Sequence, residues 1–389
     1  MSSFVYDIPT KVYFGKEKWD NLATEICNYG PKVLLVYGGG SIKASGLFDE
    51  VIDAAYEADV SVVQLSGIEP NPKIDKVRRG VEICKSEGVT ALLAVGGGSV
   101  IDTAKFIAAG ACCDCDPWEL LTAQTRANEA LPLIAIPTIA ATGSEMNYSG
   151  VISNPETKQK LARGYNCMKP HVAFLRPDLT YTVSAYQTAC GAVDIFSHVA
   201  EVYFNVNDDL FLLDRMMESI MQTVLEYGEL AVKEPENDEA RSNLMWASSW
   251  AINGFINGGR RQSWSCHPIE HELSAFYDIT HGLGMAILIP RWLRHCMNGE
   301  ALLRIASFGR NVLGFETKLS DEEAAIKSIG YLEDYFFNRL ELTDNLSSLN
   351  IDNEFFNEIV RRVCGEKGYL DGFVRLYEDD VLQILNDCL

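Results

Sequence analysis

Over residues 32–175 short runs of β-branched and aliphatic residues alternate with amphipathic stretches, the pattern of strands feeding crossover helices in a parallel sheet. Residues 32–37, 60–65, 90–95, 131–136 and 171–175 predict strands, and 42–57, 73–87 and 100–109 predict the helices among them. A Gly, Asn and Pro-punctuated stretch at 148–160 predicts a hairpin. From Ser184 onward the apolar positions follow long helical periods with few β-branched runs, so the pattern predicts a helical half, broken at 254–259 and at Pro290. These expectations divide the chain into an α/β domain, 1–183, and an all-α domain, 184–389.

Composition narrows the class of molecule. A chain of 389 residues with 47% apolar and 22% charged residues is globular, with enough material for two cores. The formal net charge of −21 repels phosphate backbones and anionic lipid, which argues against nucleic acid or membrane partners. No apolar stretch has the length of a bilayer span, and the first residues carry an early Asp and no signal-peptide core, so a cytoplasmic protein is expected. Eleven cysteines without an export signal read as reduced thiols, and the group Cys112, Cys113, Cys115 lacks the fourth thiolate and paired spacing of a zinc or iron–sulfur site.

Two strands run into the same device, Gly38-Gly-Gly-Ser41 and Gly96-Gly-Gly-Ser99. At a strand-to-helix junction glycines let backbone amides approach an anion, and the helix start adds partial positive charge, so Gly97, Gly98 and Ser99 suit a pyrophosphate. Asp102, one turn on, either accepts hydrogen bonds from a ribose or nicotinamide group or simply favours the helix start. The first run carries no carboxylate for a ribose 2′-hydroxyl. Gly38, Gly39, Ser41 and Lys43 instead offer amides, a hydroxyl and positive charge, which favours a 2′-phosphate and hence NADPH.

The helical half carries a second constellation. Asp194 and His198 stand four apart in a breaker-free stretch and share a helix face, while His267, His271 and His281 place three of the six histidines within fifteen positions. Three neutral imidazoles and a carboxylate bind a divalent first-row metal with a position left for a substrate oxygen. Four histidines and Asp194 are one ligand too many. Pro268 at the first turn of a helix would aim His267 and His271 differently, which leaves one of the pair for protons. His171 and His295 have no such company and read as structural.

Tyr37-Gly-Gly-Gly-Ser-Ile42, Gly96-Gly-Gly-Ser-Val-Ile-Asp-Thr-Ala-Lys105, Pro137-Thr-Ile-Ala-Ala-Thr-Gly-Ser-Glu145, Gly191 to His198 and Cys266 to Gly282 occur in that order. On these motifs the chain resembles the iron-containing (group III) alcohol dehydrogenases, and most closely their NADPH-dependent butanol dehydrogenase branch. The resemblance implies a dinucleotide-binding α/β domain followed by a helical one, a dehydroquinate synthase-like architecture. It implies Asp194, His198, His267 and His281 as ligands of a divalent metal, Fe2+ or Zn2+, and His271 as the proton-relay or substrate-contacting histidine. It further implies cofactor contacts at Gly97, Gly98, Ser99, Asp102, Thr138, Thr142, Ser144 and Lys160. NADH-using members carry Asp where this chain has Gly38, so the resemblance also implies NADP(H). A homodimer formed through an N-terminal strand at 4–14 is a further implication.

The expected chemistry is hydride transfer between NADP(H) and a small primary alcohol or aldehyde, such as butanol and butanal. An elimination of the dehydroquinate synthase kind would need a basic pocket for an acidic substrate, whereas Phe196, Phe255, Trp264 and Phe276 near the metal segments suit a small apolar aldehyde. A metal- or nucleotide-binding sensor without turnover is the reading from a different class.

Overall fold

A computed structural model of the chain describes residues 3–205, 210–259 and 263–389. The chain forms two compact units, Asp7–Thr182 and Val183–Leu389, the second of which also takes in the residues before Asp7.

The first unit is built on a parallel sheet of six strands: β1 (Lys11–Phe14), β2 (Lys32–Tyr37), β3 (Ser61–Leu65), β4 (Ala91–Gly96), β5 (Leu133–Pro137) and β8 (Val172–Leu175), with β6 (Ser149–Asn154) and β7 (Gln159–Gly164) forming a separate antiparallel hairpin. The sheet order is β1-β8-β5-β4-β2-β3. The four inner strands are buried almost throughout, and the edge strands β1 and β3 are partly exposed, as helices on both faces require. Side chains alternate between two cores: Leu34, Val36, Leu92 and Ala94 pack on one face, and Val33, Leu35, Leu93 and Val95 on the other. From β2 the chain steps outward to β3, and from β4 it steps the other way to β5. The order therefore reverses between neighbours β2 and β4, whose ends stand level with Tyr37 opposite Val95.

Three local expectations need correction in this unit. The helix expected over 42–57 is two, Ser41–Ala44 and Leu47–Glu57, because Gly46 turns the chain at φ +81°. The strand expected over 4–14 is paired only at Lys11–Phe14; Lys11 donates its N–H to His171, and Pro9, at the next position on that side, has none to give. Cys113 and Cys115 form a disulfide, since two residues of spacing place their Cα atoms 5.3 Å apart, and the other nine cysteines are free.

The second unit is helical apart from a two-residue ribbon, Tyr369–Leu370 with Leu376–Tyr377. At its centre runs α1 (Ala185–Tyr203), capped by the Ser184 hydroxyl and buried from Thr188 to its end. The next two helices, α2 (Cys266–Tyr277) and α3 (His281–Cys296), are joined through Asp278 at φ +54° and pack on each other, and α3 packs against α1. The break expected at Pro290 does not occur, and α3 runs through it. Residues 286–290, Trp292 and Leu293 are buried around the proline, and the Arg291 guanidinium donates to the Ile287 carbonyl. Around 254–259 the expected break is present, as a short turn with Gly254 and Gly258 left-handed. Among the described residues no helix is long and apolar enough to cross a membrane.

Candidate functional site

The α1 sequence sets Asp194, Ser197, His198 and Glu201 on one face at spacings of three and four, all buried. Glu201 accepts hydrogen bonds from the backbone N–H groups of Ser265 (2.9 Å) and Cys266 (2.6 Å), which ties the start of α2 to α1 and brings His267 over the same face. Burial pushes the Glu201 carboxyl up to about 8, and those backbone donors oppose the shift. His281 reaches the face by a glycine approach. A Cβ on Gly282 would lie 2.1 Å from the Cys190 carbonyl oxygen, so only glycine lets the first turn of α3 seat against α1.

The result is a compact group. Asp194 Oδ1 lies 3.4 Å from His281 Nε2 and 3.6 Å from His198 Nε2. The His198 and His267 rings stack at 5.2 Å, and those of His267 and His281 lie 5.3 Å apart. One ligand atom each from Asp194, His267 and His281 falls within 4.8 Å of the others. Two donors at roughly 2.1 Å from a shared tetrahedral ion stand about 3.4 Å apart. Buried Asp194 Oδ1 accepts no hydrogen bond among the described residues, an orphaned acceptor facing two imidazole nitrogens. Burial lowers the His198 pKa against the pull of Asp194, with His281 adding to the lowering, and so keeps the ring in the neutral form that a metal needs. The donor set and its spacing fit a divalent ion.

His271 is half-buried at the rim, its ring 5.5 Å from that of His281 and 6.1 Å from that of His267. Of the four aromatics expected near the metal segments, Trp264 lies against the group, its ring 4.5 Å from that of His267. The other three pack elsewhere: Phe196 on Phe308 and Phe336, Phe255 on Tyr6 and Trp250, and Phe276 on Phe355. His171 sits against Tyr29, and His295 lies 3.1 Å from Asp380.

In the first unit both glycine runs leave the sheet where its order reverses, at the ends of β2 and β4. Gly96 has φ +157°, and the helix Gly98–Ala111 starts directly after it, buried from Gly98 to Gly110 except Ser99. A Cβ on Gly98 would lie 2.4 Å from Thr142 Oγ1, and Thr138 donates its N–H to the Gly96 carbonyl, so residues 138–144 close over the turn. Gly97, Gly98, Ser99, Thr138, Thr142 and Ser144 are thereby gathered. Gly38 adjoins them, a Cβ there lying 3.9 Å from Val100 Cγ2, whereas Gly39 and Gly40 open onto empty space before Ser41. Lys160 is buried on β7 opposite Ser153. The Asp102 carboxylate is engaged by the protein: Oδ1 accepts from Ser144 Oγ (2.5 Å) and Oδ2 from the Val151 N–H (2.9 Å).

Residue-by-residue reading passed over the groups behind these sites. Lys105 is fully buried and donates to Ser144 Oγ, Asn147 Oδ1 and the Ser149 carbonyl at 2.7–2.8 Å. Burial pushes its pKa down to about 8, against the pull of Asp102 and Glu145. Glu201 and Glu270 likewise sit behind the histidines. The available signal was a charged residue at a position where helical period demands an apolar one.

An open parallel sheet with anion-ready turns at its switch point, in one chain with helices that gather an aspartate and histidines, is the plan of a nucleotide- and metal-using enzyme. The family model for iron-containing alcohol dehydrogenases matches residues 9–177, and the C-terminal model of that family matches 188–389. The chain is 43% identical to NADH-dependent butanol dehydrogenase A of Clostridium acetobutylicum over 99% of both chains. It is 37% identical to the NADPH-dependent aldehyde reductase YqhD of Escherichia coli over 93% of both. The crystal structure of NADH-dependent butanol dehydrogenase A from Thermotoga maritima superposes with a TM-score of 0.93 at 36% identity, covering 100% of this chain and 99% of that one. The chain belongs to the iron-containing alcohol dehydrogenase family, an oxidoreductase family whose membership implies a divalent metal and a nicotinamide cofactor.

Proposed function

We propose that the protein interconverts small primary alcohols and aldehydes, such as butanol and butanal, with NADP(H) as hydride carrier and Fe2+ as the metal. The observation that carries this reading is Asp194 Oδ1, buried without a hydrogen-bond donor among the described residues and facing Nε2 of His198 and His281. Asp194, His198, His267 and His281 would hold the ion. Bound there, a divalent ion supplies Lewis-acid polarisation of a substrate oxygen, while the dihydronicotinamide supplies a hydride to the carbonyl carbon. His271 returns a proton to the substrate oxygen from a ring nitrogen, and takes it back in the oxidative direction. Trp264, edge-on to His267, excludes water from one side of the group. The amides of Gly97, Gly98 and Ser99 bind the pyrophosphate, with Thr138, Thr142, Ser144 and Lys160 around the nucleotide. Asp102 acts one step back, fixing Ser144 and the β6–β7 hairpin.

NADP(H) is favoured by the surroundings of Gly38, Gly39 and Ser41. The Gly38 carbonyl accepts from the Gly67 N–H, and the loop holding Gly67 accepts the Lys76 ammonium at the Ser66 carbonyl (3.0 Å). Lys43 lies over the Tyr37 and Phe48 rings on the other side. Lys43 and the absence of a carboxylate in the turn Gly38–Ser41 suit a 2′-phosphate, while the loop that Lys76 reaches also carries Glu69. Relatives are named for both cofactors, so NADPH and NADH are to be compared directly. Zinc fits the same donors, and the choice of Fe2+ rests on the family.

The test is nicotinamide absorbance with butanal, using metal-stripped protein reconstituted separately with Fe2+ and Zn2+. NADPH should be oxidised only by a reconstituted sample and at a higher kcat/KM than NADH, and His198→Ala should lose both metal and turnover. Turnover that persists in His198→Ala without bound metal would end this reading.

A further inference from the structure

We propose that Glu270 is the positioning residue for His281: it fixes the imidazole with Nδ1 as donor and Nε2 bare towards Asp194, and so sets how tightly the helical unit binds a divalent ion. The inference rests on the ligand set proposed above and adds to it a residue that is not one of those four ligands.

Glu270 lies on α2 between His267 and His271, and its side chain is fully buried. Its Oε2 is in direct hydrogen-bond contact with His281 Nδ1. In the proposed arrangement the Glu270 carboxylate is ionised and only accepts, so the proton of that bond belongs to Nδ1 and the opposite nitrogen keeps its lone pair. The opposite nitrogen, Nε2, lies 3.4 Å from Asp194 Oδ1. Two bare acceptors at that distance repel one another unless a cation stands between them.

The surroundings are shaped to keep Glu270 in place. Ser274 Oγ, one turn further along α2, donates to Oε1 at 2.5 Å. On the α3 side a Cβ at Gly284 would lie 2.8 Å from the Glu270 Cγ and 2.9 Å from Oε1, so the glycine leaves room for the carboxylate. An apolar side chain of similar volume would fill the space without the desolvation of a carboxylate, so packing alone gives no reason for glutamate here. A negative charge behind the imidazole also strengthens its Nε2 as a ligand. His281 thus resembles the metal-bound histidines whose second nitrogen donates to an outer carboxylate. Glu270, His271 and His281 also come within ligand reach of one another, which would instead suit a second ion at Glu270.

The experiment uses the metal-stripped full-length chain. Zn2+ dissociation constants are measured by competition with a chromophoric chelator, stoichiometry by metal analysis, and the ligand field by the visible absorption of the Co2+-loaded protein. Glu270→Gln should bind one ion per chain about 10- to 100-fold more weakly and with shifted Co2+ bands. In a His281→Ala background the same change should have no further effect. Ser274→Ala should weaken binding in the same direction by less, and this decides the matter if Glu270→Gln does not fold. If His281→Ala binds Zn2+ as tightly as the unaltered chain, the ligand set itself falls. If His281→Ala is weakened but Glu270→Gln and Ser274→Ala are not, the ligand set stands and the role of Glu270 falls. Two ions per chain, one lost on Glu270→Gln, would likewise overturn it in favour of a ligand role.

Discussion

Asp102 and Asp194 are both buried aspartates on buried helices, yet they serve opposite ends. Asp102 accepts from Ser144 and Val151 through its two oxygens and has the Lys105 ammonium near it. Asp194 Oδ1 accepts from no described group and faces imidazole nitrogens. A carboxylate taken out of water is stable only if its lone pairs are used. Where protein donors engage both oxygens the fold itself holds the carboxylate, and where an oxygen has no described donor the carboxylate suits the metal-ligand role proposed above. Burial and residue type are equal in the two cases, so satisfaction, not exposure, separates architecture from site.

The sharpest way to break this comparison is to make the same substitution at both. Asp194→Asn should lower kcat/KM for butanal on the order of 10³-fold with loss of bound metal, and should leave the metal-free protein as stable as before or more so. Asp102→Asn should keep its metal but lose about 2–3 kcal/mol in denaturant unfolding, since an amide group would face a donor. Destabilised metal-free Asp194→Asn would refute the contrast. Lys105→Met should cost about 3 kcal/mol of stability, because its three acceptors and Asp102 lose their cation. Metal content should not change in that variant, and a fall would join the two networks.

Alkaline pH provides a weaker probe common to both units. Burial pushes Cys84 in the first unit and Cys388 in the second up to about 12. In the unfolded chain such thiols ionise near 8.5, so above that pH the native state binds more protons and stability falls with rising pH through the window to about 12. Each thiol contributes roughly 1.4 kcal/mol per pH unit there. Cys84→Ala should flatten the decline in denaturant titrations at pH 8 to 10, and an unchanged slope would show that Cys84 ionises normally.

The alternation of apolar runs and the two glycine devices made the parallel sheet and its switch-point turns legible, because buried strands and phosphate-ready turns each need residues that few other structures tolerate. Helical spacing and clustering made Asp194, His198, His267, His271 and His281 legible as a group without deciding between His267 and His271, and the family resemblance supplied the ligand set; Asp194, His198, His267 and His281 lie together. What local pattern could not reveal was long-range satisfaction. Nothing local separates Glu270 from any other helix-forming acid, and it is His281 and Gly284, on the next helix, that give it a role. Asp102 reads as a cofactor contact or a helix-start residue from its place one turn after Ser99, and its bonds to Ser144 and Val151, more than forty residues away along the chain, leave no local signal. Pro290 read as a helix break because propensity weighs a missing N–H and not the burial of 286–289, Trp292 and Leu293 around it. The aromatics failed for the same reason, since nearness in sequence to a ligand says little about which core a ring joins.

The helix that begins at Gly98 is walled in over nearly its whole length, and its opening turn is pinned by Thr138 and Thr142. Such a cradle is set before any nucleotide arrives, and little conformational freedom is left there to lose on binding. The same rigidity confines evolutionary change. If the proposed pyrophosphate cradle is right, a lineage switching between the two nicotinamide coenzymes cannot retouch it without disturbing the core, but it can alter the strip around Gly39 and Gly40, where an added Cβ would meet nothing among the described residues. Discrimination between coenzymes can therefore drift along one rim of the sheet while the turn at Gly97 and Gly98 stays fixed, a division of labour open to laboratory redesign as well.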